Sequence, residues 1–193
     1  MREKMMEHAI RLFERKGFSE TSVQELVDAV GVTKGAFYYY FTSKEELLCQ
    51  IHLDYIESML VQQQHIVEEK EQTCREKLTG LVQMLIRSIA EEGDRARIFF
   101  REMRHLGAEH LETIGEKRDL FRIRFQSLIE AGVRDGEFRS ELRADLVTLA
   151  ILGMCNWSYT WYDPCGEVMD EALAVLYTEL ILHGIGDKEG VTA

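Results

Sequence analysis

Thr33, Lys34, Gly35, Tyr38, Tyr39 and Lys44 fall within one short stretch of the chain. Their chemistry is that of gripping a polyanion. The two lysines bring positive charge to phosphates. The hydroxyls of Thr33, Tyr38 and Tyr39 donate to phosphate oxygens, and free N–H groups at helix starts add to them. Gly35 has no Cβ, so the backbone there can approach base edges closely. The competing reading is an ordinary helical hairpin with the tyrosines in its core, but three consecutive helical residues cannot all face inward. Bond-making chemistry has no comparable constellation. The six histidines form no H-E-x-x-H, and His105 and His110 lie five apart, off the spacing that puts two ligands on one helical face. No G-x-S-x-G, Walker loop or G-x-G-x-x-G occurs. No catalytic residue, metal site or cofactor is therefore expected, and the chain is not expected to be an enzyme.

The elements that must hold these residues are legible around them. Val23, Leu26, Val27 and Val30 follow the i, i+3, i+4, i+7 spacing of one apolar helix face. Ser22 with Glu25 has the form of a capping box at its start, and Gly31 can take the positive φ of a tight turn at its end. Thr33 can cap a second short helix. On that helix Val32, Ala36 and Tyr40 project to one side with Phe37 beside them, and Lys34, Gly35, Tyr38 and Tyr39 to the other. Ser43 with Glu46 is a second capping box, opening a third helix that carries Lys44 in its first turn.

The segment GVTKGAFYYYFTSKEELL resembles the helix-turn-helix of the TetR family of bacterial repressors, through Gly31, Val32, Thr33, Gly35, Tyr38, Tyr39, Phe41 and Lys44. The upstream AIRLFERKGFSETSVQEL resembles it too, with Ala9, Ile10 and Phe13 as an inward face and Gly17 as a helix end. The resemblance covers roughly the first 50 residues, and beyond them extends to layout only. It implies that Thr21, Thr33, Lys34, Gly35, Tyr38, Tyr39 and Lys44 touch DNA. Tyr40 stands where some members have histidine and is divided between core and phosphate.

Composition fits an all-α chain. Hydrophobic residues make up 46% of the sequence, there is a single proline, and few stretches alternate with period two. The expected organisation is a three-helix helix-turn-helix unit over 1–47 and a larger helical ligand-binding and dimerisation domain over 48–193. The net charge of −11 divides unevenly: residues 1–47 hold seven Lys/Arg against eight Asp/Glu, and the remainder carries −10. DNA contact must then come from where charges sit, not from their total. Cys49, Cys74, Cys155 and Cys165 form no C-x-x-C pair; Cys49 and Cys155 lie in apolar helical stretches, as buried thiols do, and a reducing compartment is expected. The amphipathic opening MREKMMEHAIRLFERKG reads as part of the fold, not as a leader. Leu146 to Tyr162, the longest apolar stretch, is interrupted by polar residues and falls short of a membrane span. A cytoplasmic protein is expected.

Further helices are expected over Lys44 to about Glu69, Glu76–Glu91, Asp94–Leu106, Glu112–Arg134, Asp145–Tyr162 and Val168–Ile185, with a loose tail after Gly186. The first, running from the DNA unit onward, is a natural lever. The last leaves only a thin polar edge, through Val168, Met169, Ala172, Leu173, Val175, Leu176, Tyr177, Leu180, Ile181 and Leu182. A surface helix needs one apolar stripe. The preceding helix is similar, and the two suit pairing with their copies across a two-fold axis as a four-helix interface, although a single buried core helix has the same pattern. A DNA reader of this kind needs two half-sites about 34–36 Å apart, which requires a homodimer, and the family's usual dimer uses this helix pair.

Regulators of this layout are usually released by a small molecule held in the helical second domain. Met59, Phe99, Phe100, Met103, Phe121, Phe125, Met154, Trp157 and Trp161 offer the aromatic and methionine lining that suits an apolar effector; plain core packing is the competing reading. GMCNWSYTWYDP also resembles, weakly, a MxNWxxxWY stretch in TetR-type regulators that respond to acyl-CoA thioesters. If so, Arg97, Arg101 and Arg104 are candidates for the CoA phosphates, against a plain solvated helix face. A ligand-binding helical module without DNA function, or a small helical enzyme, remains as an alternative class.

Overall fold

A computed structural model describes residues 1–185. Nine α-helices account for almost all of them: α1 (Arg2–Lys16), α2 (Val23–Val30), α3 (Lys34–Tyr40), α4 (Lys44–Glu68), α5 (Cys74–Glu91), α6 (Gly93–Arg101), α7 (Ala108–Arg134), α8 (Ala144–Trp157) and α9 (Asp170–Ile185). The described residues contain no β-strand, in agreement with the all-α expectation. The tail expected after Gly186 lies outside the described residues.

Local chemistry sets the ends of these helices. The Ser22 hydroxyl accepts from the Glu25 N–H and the Glu25 carboxylate accepts from the Ser22 N–H, the reciprocal box that starts α2. Gly31 ends that helix in the left-handed region at φ 77°. The box at the start of α4 is shared differently from the Ser43–Glu46 expectation. Ser43 does accept from the Glu46 N–H, but the Glu46 carboxylate turns to the N–H and hydroxyl of Thr42. At α5, Thr73 and Glu76 form another reciprocal box. The first two amides of α5, on Cys74 and Arg75, are held at 2.9 Å by the carboxylate of Glu137, more than sixty residues along the chain. After α7 the chain reverses at Gly136, and Glu137 and Phe138 both donate to the Gly132 carbonyl.

Three helix bounds differ from the periodicity by four residues or more, while α5 and α9 start within two residues of expectation. The segment expected as one helix over Asp94–Leu106 is α6 followed by a 3₁₀ turn at Met103–His105. α7 begins at Ala108, ahead of Glu112, because Glu45 accepts from the Gly107 N–H at 2.7 Å and fixes that end. The helix expected to reach Tyr162 stops at Trp157. There the chain tightens into a 3₁₀ turn, with Trp161 and Tyr162 both donating to the Ser158 carbonyl.

The chain forms two compact units, Met1–Ser58 with Glu92–Lys117, and Met59–Glu91 with Arg118 onward. In the first, α1 packs on α2 and on α6, around Phe13, Phe37, Phe41, Leu47, Leu48, Ile51 and Ile98. Arg97 of α6 pairs with Glu14 of α1 at 3.0 Å and with Asp94 at 2.6 Å. In the second, α5 packs along α9 and against α8, with Leu78, Leu81, Ile86, Phe125 and Phe138 inside. α4 and α7 each contribute to both units.

Candidate nucleic-acid interface

The reading surface is built by a short helix whose two sides have different fates. Thr33 caps α3 by accepting from the Ala36 N–H at 3.2 Å. Phe37 and, just beyond the helix, Phe41 are fully buried and anchor α3 to the first unit. That leaves Tyr38 and Tyr39 on the outside, 54% and 80% exposed, with Thr33, Lys34 and Gly35 also exposed. Tyr40 sits at the border, at the edge of exposure, its ring meeting Tyr39 edge-on at 4.9 Å. Three phenols, one ammonium and a glycine on one solvent-facing element can donate to phosphate oxygens and approach base edges.

Two residues that the family resemblance placed on DNA have internal partners. Thr21 is fully buried, and its hydroxyl donates to the Gly17 carbonyl at 2.9 Å. It therefore fixes the turn between α1 and α2 instead of facing outward. Lys44 donates to the carbonyls of Phe18 and Thr21 at 2.7 and 2.6 Å, with its ammonium 4.3 Å from the centre of the Phe18 ring. Burial pushes its ammonium below the usual lysine range, partly offset by Glu20 and Glu25. The Phe18 ring in turn stacks on His105. Nearby, Lys16 pairs with Glu25, and this hydrogen bond, then those from Ser22, hold the Glu25 carboxyl at about 2. Sequence reasoning passed over Glu45. Its carboxylate accepts from Gly107 N–H and lies 3.0 Å from His110 Nδ1, and these two partners hold it below the usual glutamate range. This tie bridges the first turn of α4 to the start of α7, and no local pattern announces it.

The residues proposed from sequence as effector lining are divided between the units. Phe99, Phe100, Met103 and Arg104 belong to the first, where Phe99 packs on Tyr55 and His52. Arg104 is exposed, and its Nε donates to His105 Nε2 at 3.3 Å. Met59, Phe121, Phe125, Met154, Trp157 and Trp161 belong to the second. Met59, Phe121 and Phe125 are buried and Met154 is half-buried, whereas Trp157 and Trp161 are 63% and 52% exposed. Trp161 lies past the end of α8, so it does not continue the helical face of Met154 and Trp157. A groove of about 400 Å³ in the second unit runs between the end of α4 and α5, walled by Ile66 and Gly80 with Glu69 and Glu76. None of the proposed lining residues borders it. Among the described residues no three His, Cys, Asp or Glu side chains gather as metal ligands would.

The second unit also carries an apolar stripe facing out. Leu146, Leu149 and Trp157 recur along one side of α8; Val175, Leu176 and Leu180 do so along α9, and Val168 and Met169 precede it. All are about half exposed or more in the single chain. No described helix is long and apolar enough to cross a membrane.

Residues 6–51, which hold α2, α3 and the turn between them, match the family described as bacterial regulatory proteins, tetR family. Residues 71–185 match the family described as tetracyclin repressor-like, C-terminal domain. The chain belongs to the TetR family. As a TetR-family regulator its partners are DNA, a second copy of itself and a small-molecule effector. It is 28% identical over 185 residues to the HTH-type transcriptional repressor KstR2 of Rhodococcus jostii, covering 95% of this chain and 90% of that one. It is similar to the crystal structure of the TetR-family transcriptional regulator PfmR from Thermus thermophilus, with 30% identity, a TM-score of 0.87, and 93% and 97% of the two chains covered. The TetR-family fold here also matches AibR, solved with isovaleryl coenzyme A and operator DNA, at a TM-score of 0.83 and 23% identity, over 93% and 96% of the chains.

Proposed function

We propose that this regulator is a repressor that sits as a homodimer on a two-fold symmetric operator and leaves it when a small, largely apolar effector binds, acyl-CoA thioesters being the leading candidates. The observation that carries the reading is the outward row of Lys34, Tyr38 and Tyr39 on a helix anchored from behind by Phe37 and Phe41. In the dimer each α3 occupies a major groove, the two half-sites about 34–36 Å apart. The exposed stripes of α8 and α9 supply the two-fold contact. Thr33, Lys34, Gly35, Tyr38 and Tyr39 meet the DNA, and Lys44 and Thr21 shape the turn behind them. The protein's work on this reading is binding, with no bond made or broken.

Effector binding in the second domain shifts α4 and so alters the separation of the two α3 helices. A coupling of about 1–3 kcal/mol suffices to release the operator. The acyl-CoA candidate is supported by the NWSYTWY stretch and by AibR, a protein of the same fold solved with isovaleryl coenzyme A. Kinship with a transcriptional repressor supports repression. The test is fluorescence anisotropy, with nuclease footprinting, on DNA from the regulator's own promoter region, with and without palmitoyl-CoA, phenylacetyl-CoA and isovaleryl-CoA. Specific binding with a symmetric footprint, relieved by one thioester, is expected. Binding that ignores all three removes the acyl-CoA candidate; no sequence-specific binding removes the repressor reading itself.

A further inference from the structure

Gln63 is the odd residue in the second unit's interior. It lies on α4 one turn beyond Met59 and Leu60, both buried, and is itself 0% exposed. Its Nε2 donates to the main-chain carbonyl of Phe121 on α7 at 2.8 Å. That bond decides which way the amide points, because a carbonyl oxygen can accept only from its nitrogen end. The other end, Oε1, has no hydrogen-bond partner among the described residues. On α7, Phe121, Phe125, Leu128 and Ile129 are buried on successive turns, and Arg124 donates to the Leu60 carbonyl, one turn before Gln63, at 3.3 Å.

Buried polar atoms are rarely left unpaired in folded proteins. The Phe121 carbonyl belongs to the interior of a continuous helix, so it does not need the glutamine. A methionine at position 63 would fill similar space and remove the unmet acceptor. Two hydroxyls of the same unit are also buried without partners among the described residues, Thr148 on α8 and Thr178 on α9, although a helical threonine can bond back to the preceding turn. The interior of this unit therefore holds hydrogen-bonding capacity that the described residues do not use. Gln63 is the member whose direction is fixed.

We propose that Gln63 is a specificity-determining residue of the effector site, its Oε1 accepting a hydrogen bond from an O–H or N–H group of an otherwise apolar effector. The inference rests on reading the second domain as effector-binding, and not on the effector being a CoA thioester. The donor is either a hydroxyl on the apolar part or an amide N–H of a pantetheine arm. A site built around such a bond rejects an analogue lacking the donor more sharply than an apolar wall rejects a change of size.

Calorimetry on the full-length dimer tests this with two matched pairs: n-decanol against its isomer methyl nonyl ether, and 3-hydroxydecanoyl-CoA against decanoyl-CoA. Each is titrated into wild type, Gln63→Met and Gln63→Leu, with melting curves to show that the variants fold. The expected result is that Gln63→Met weakens a donor-bearing probe about ten-fold, or about 1.4 kcal/mol, and leaves the ether unchanged. A loss confined to the hydroxylated probes assigns the donor to the apolar part. An equal loss for both thioesters assigns it to the pantetheine arm. The proposal is overturned if Gln63→Met binds every probe as wild type does, if it weakens the ether equally, or if wild type binds none of the four. Thioesters that fail to bind while the alcohol result holds remove the acyl-CoA candidate and leave the role of Gln63 standing.

Discussion

Replacing Leu180 with glutamate separates the dimer contact from the fold. Leu180 is 58% exposed on α9, in line with Val175 and Leu176. Covering a whole leucine side chain contributes about 1.5–3 kcal/mol, so covering what is still exposed here contributes about 1–1.5 kcal/mol. A two-fold axis repeats every contact, which makes Leu180 worth about 2–3 kcal/mol per dimer. At 1.4 kcal/mol per decade, dimer dissociation should strengthen by about thirty- to a hundredfold. Two carboxylates brought into an apolar contact add to that. Sedimentation equilibrium over a concentration series reads the effect directly. Monomers are expected where the parent is dimeric, with operator affinity falling in step and the helical circular dichroism unchanged, since the side chain already faces outward. A dimer undisturbed by Leu180→Glu and by Leu149→Glu alike would place the two-fold contact elsewhere and refute the assignment of these stripes.

Lys34→Ala removes one phosphate contact per subunit. Anisotropy titrations should find operator affinity lowered for all sequences alike, and the slope of log K against log salt reduced by about 1.8. Gly132→Ala places a Cβ 2.3 Å from the buried Phe138 ring and 3.1 Å from Cys74 Cβ. Overpacking of this kind costs about 1–3 kcal/mol, visible as a melting point lowered by about 2–4 °C per kcal/mol. Glu25 has a folded value of about 2 against 4.5, so its stabilisation is complete above pH 4.5 and is lost as pH falls through 2. Melts across that window should show a flatter acid limb for Glu25→Gln. Burial pushes the Cys155 thiol up to about 12, so a thiol reagent should label exposed Cys165 at once and reach Cys155 only on unfolding; equal rates would contradict its burial.

How much of this was legible depended on whether the cause was local. The start of α2, the turn at Gly31 and the cap of α3 rest on partners three residues apart, and short-range pattern names them all. The outward tyrosines followed from helical geometry once Phe37 was seen as inward. The Thr73–Glu76 box was equally local and equally readable, yet the expected helix began only at Glu76, two residues after the start of α5. Other features had no local sign. Glu45 reaches a backbone amide sixty-two residues away, so nothing near Gly107 signals an early start for α7. The stop at Trp157 comes with the fully buried Ser158, whose hydroxyl meets the Tyr177 hydroxyl at 3.1 Å from another helix. The helix expected over Asp145–Tyr162 ran past that stop, so Trp161 lies beyond α8. Thr21, placed on DNA by the family resemblance, serves as an inward pin, and residue type alone cannot separate the two. Gln63 stands between Gln62 and Gln64, which are exposed, and only the fold reveals that the middle glutamine is buried.

The carboxylate of Glu137 at the head of α5 has a consequence for how the protein is made. Two amides that open a helix wait for an acceptor delivered by a much later stretch of chain. At about 5–20 residues per second on the ribosome, that delay is about 3–13 seconds. During it the first turn of α5 relies on Thr73 and solvent alone. The nascent helix can therefore fray at its head until α7 and the bend after it have been synthesised.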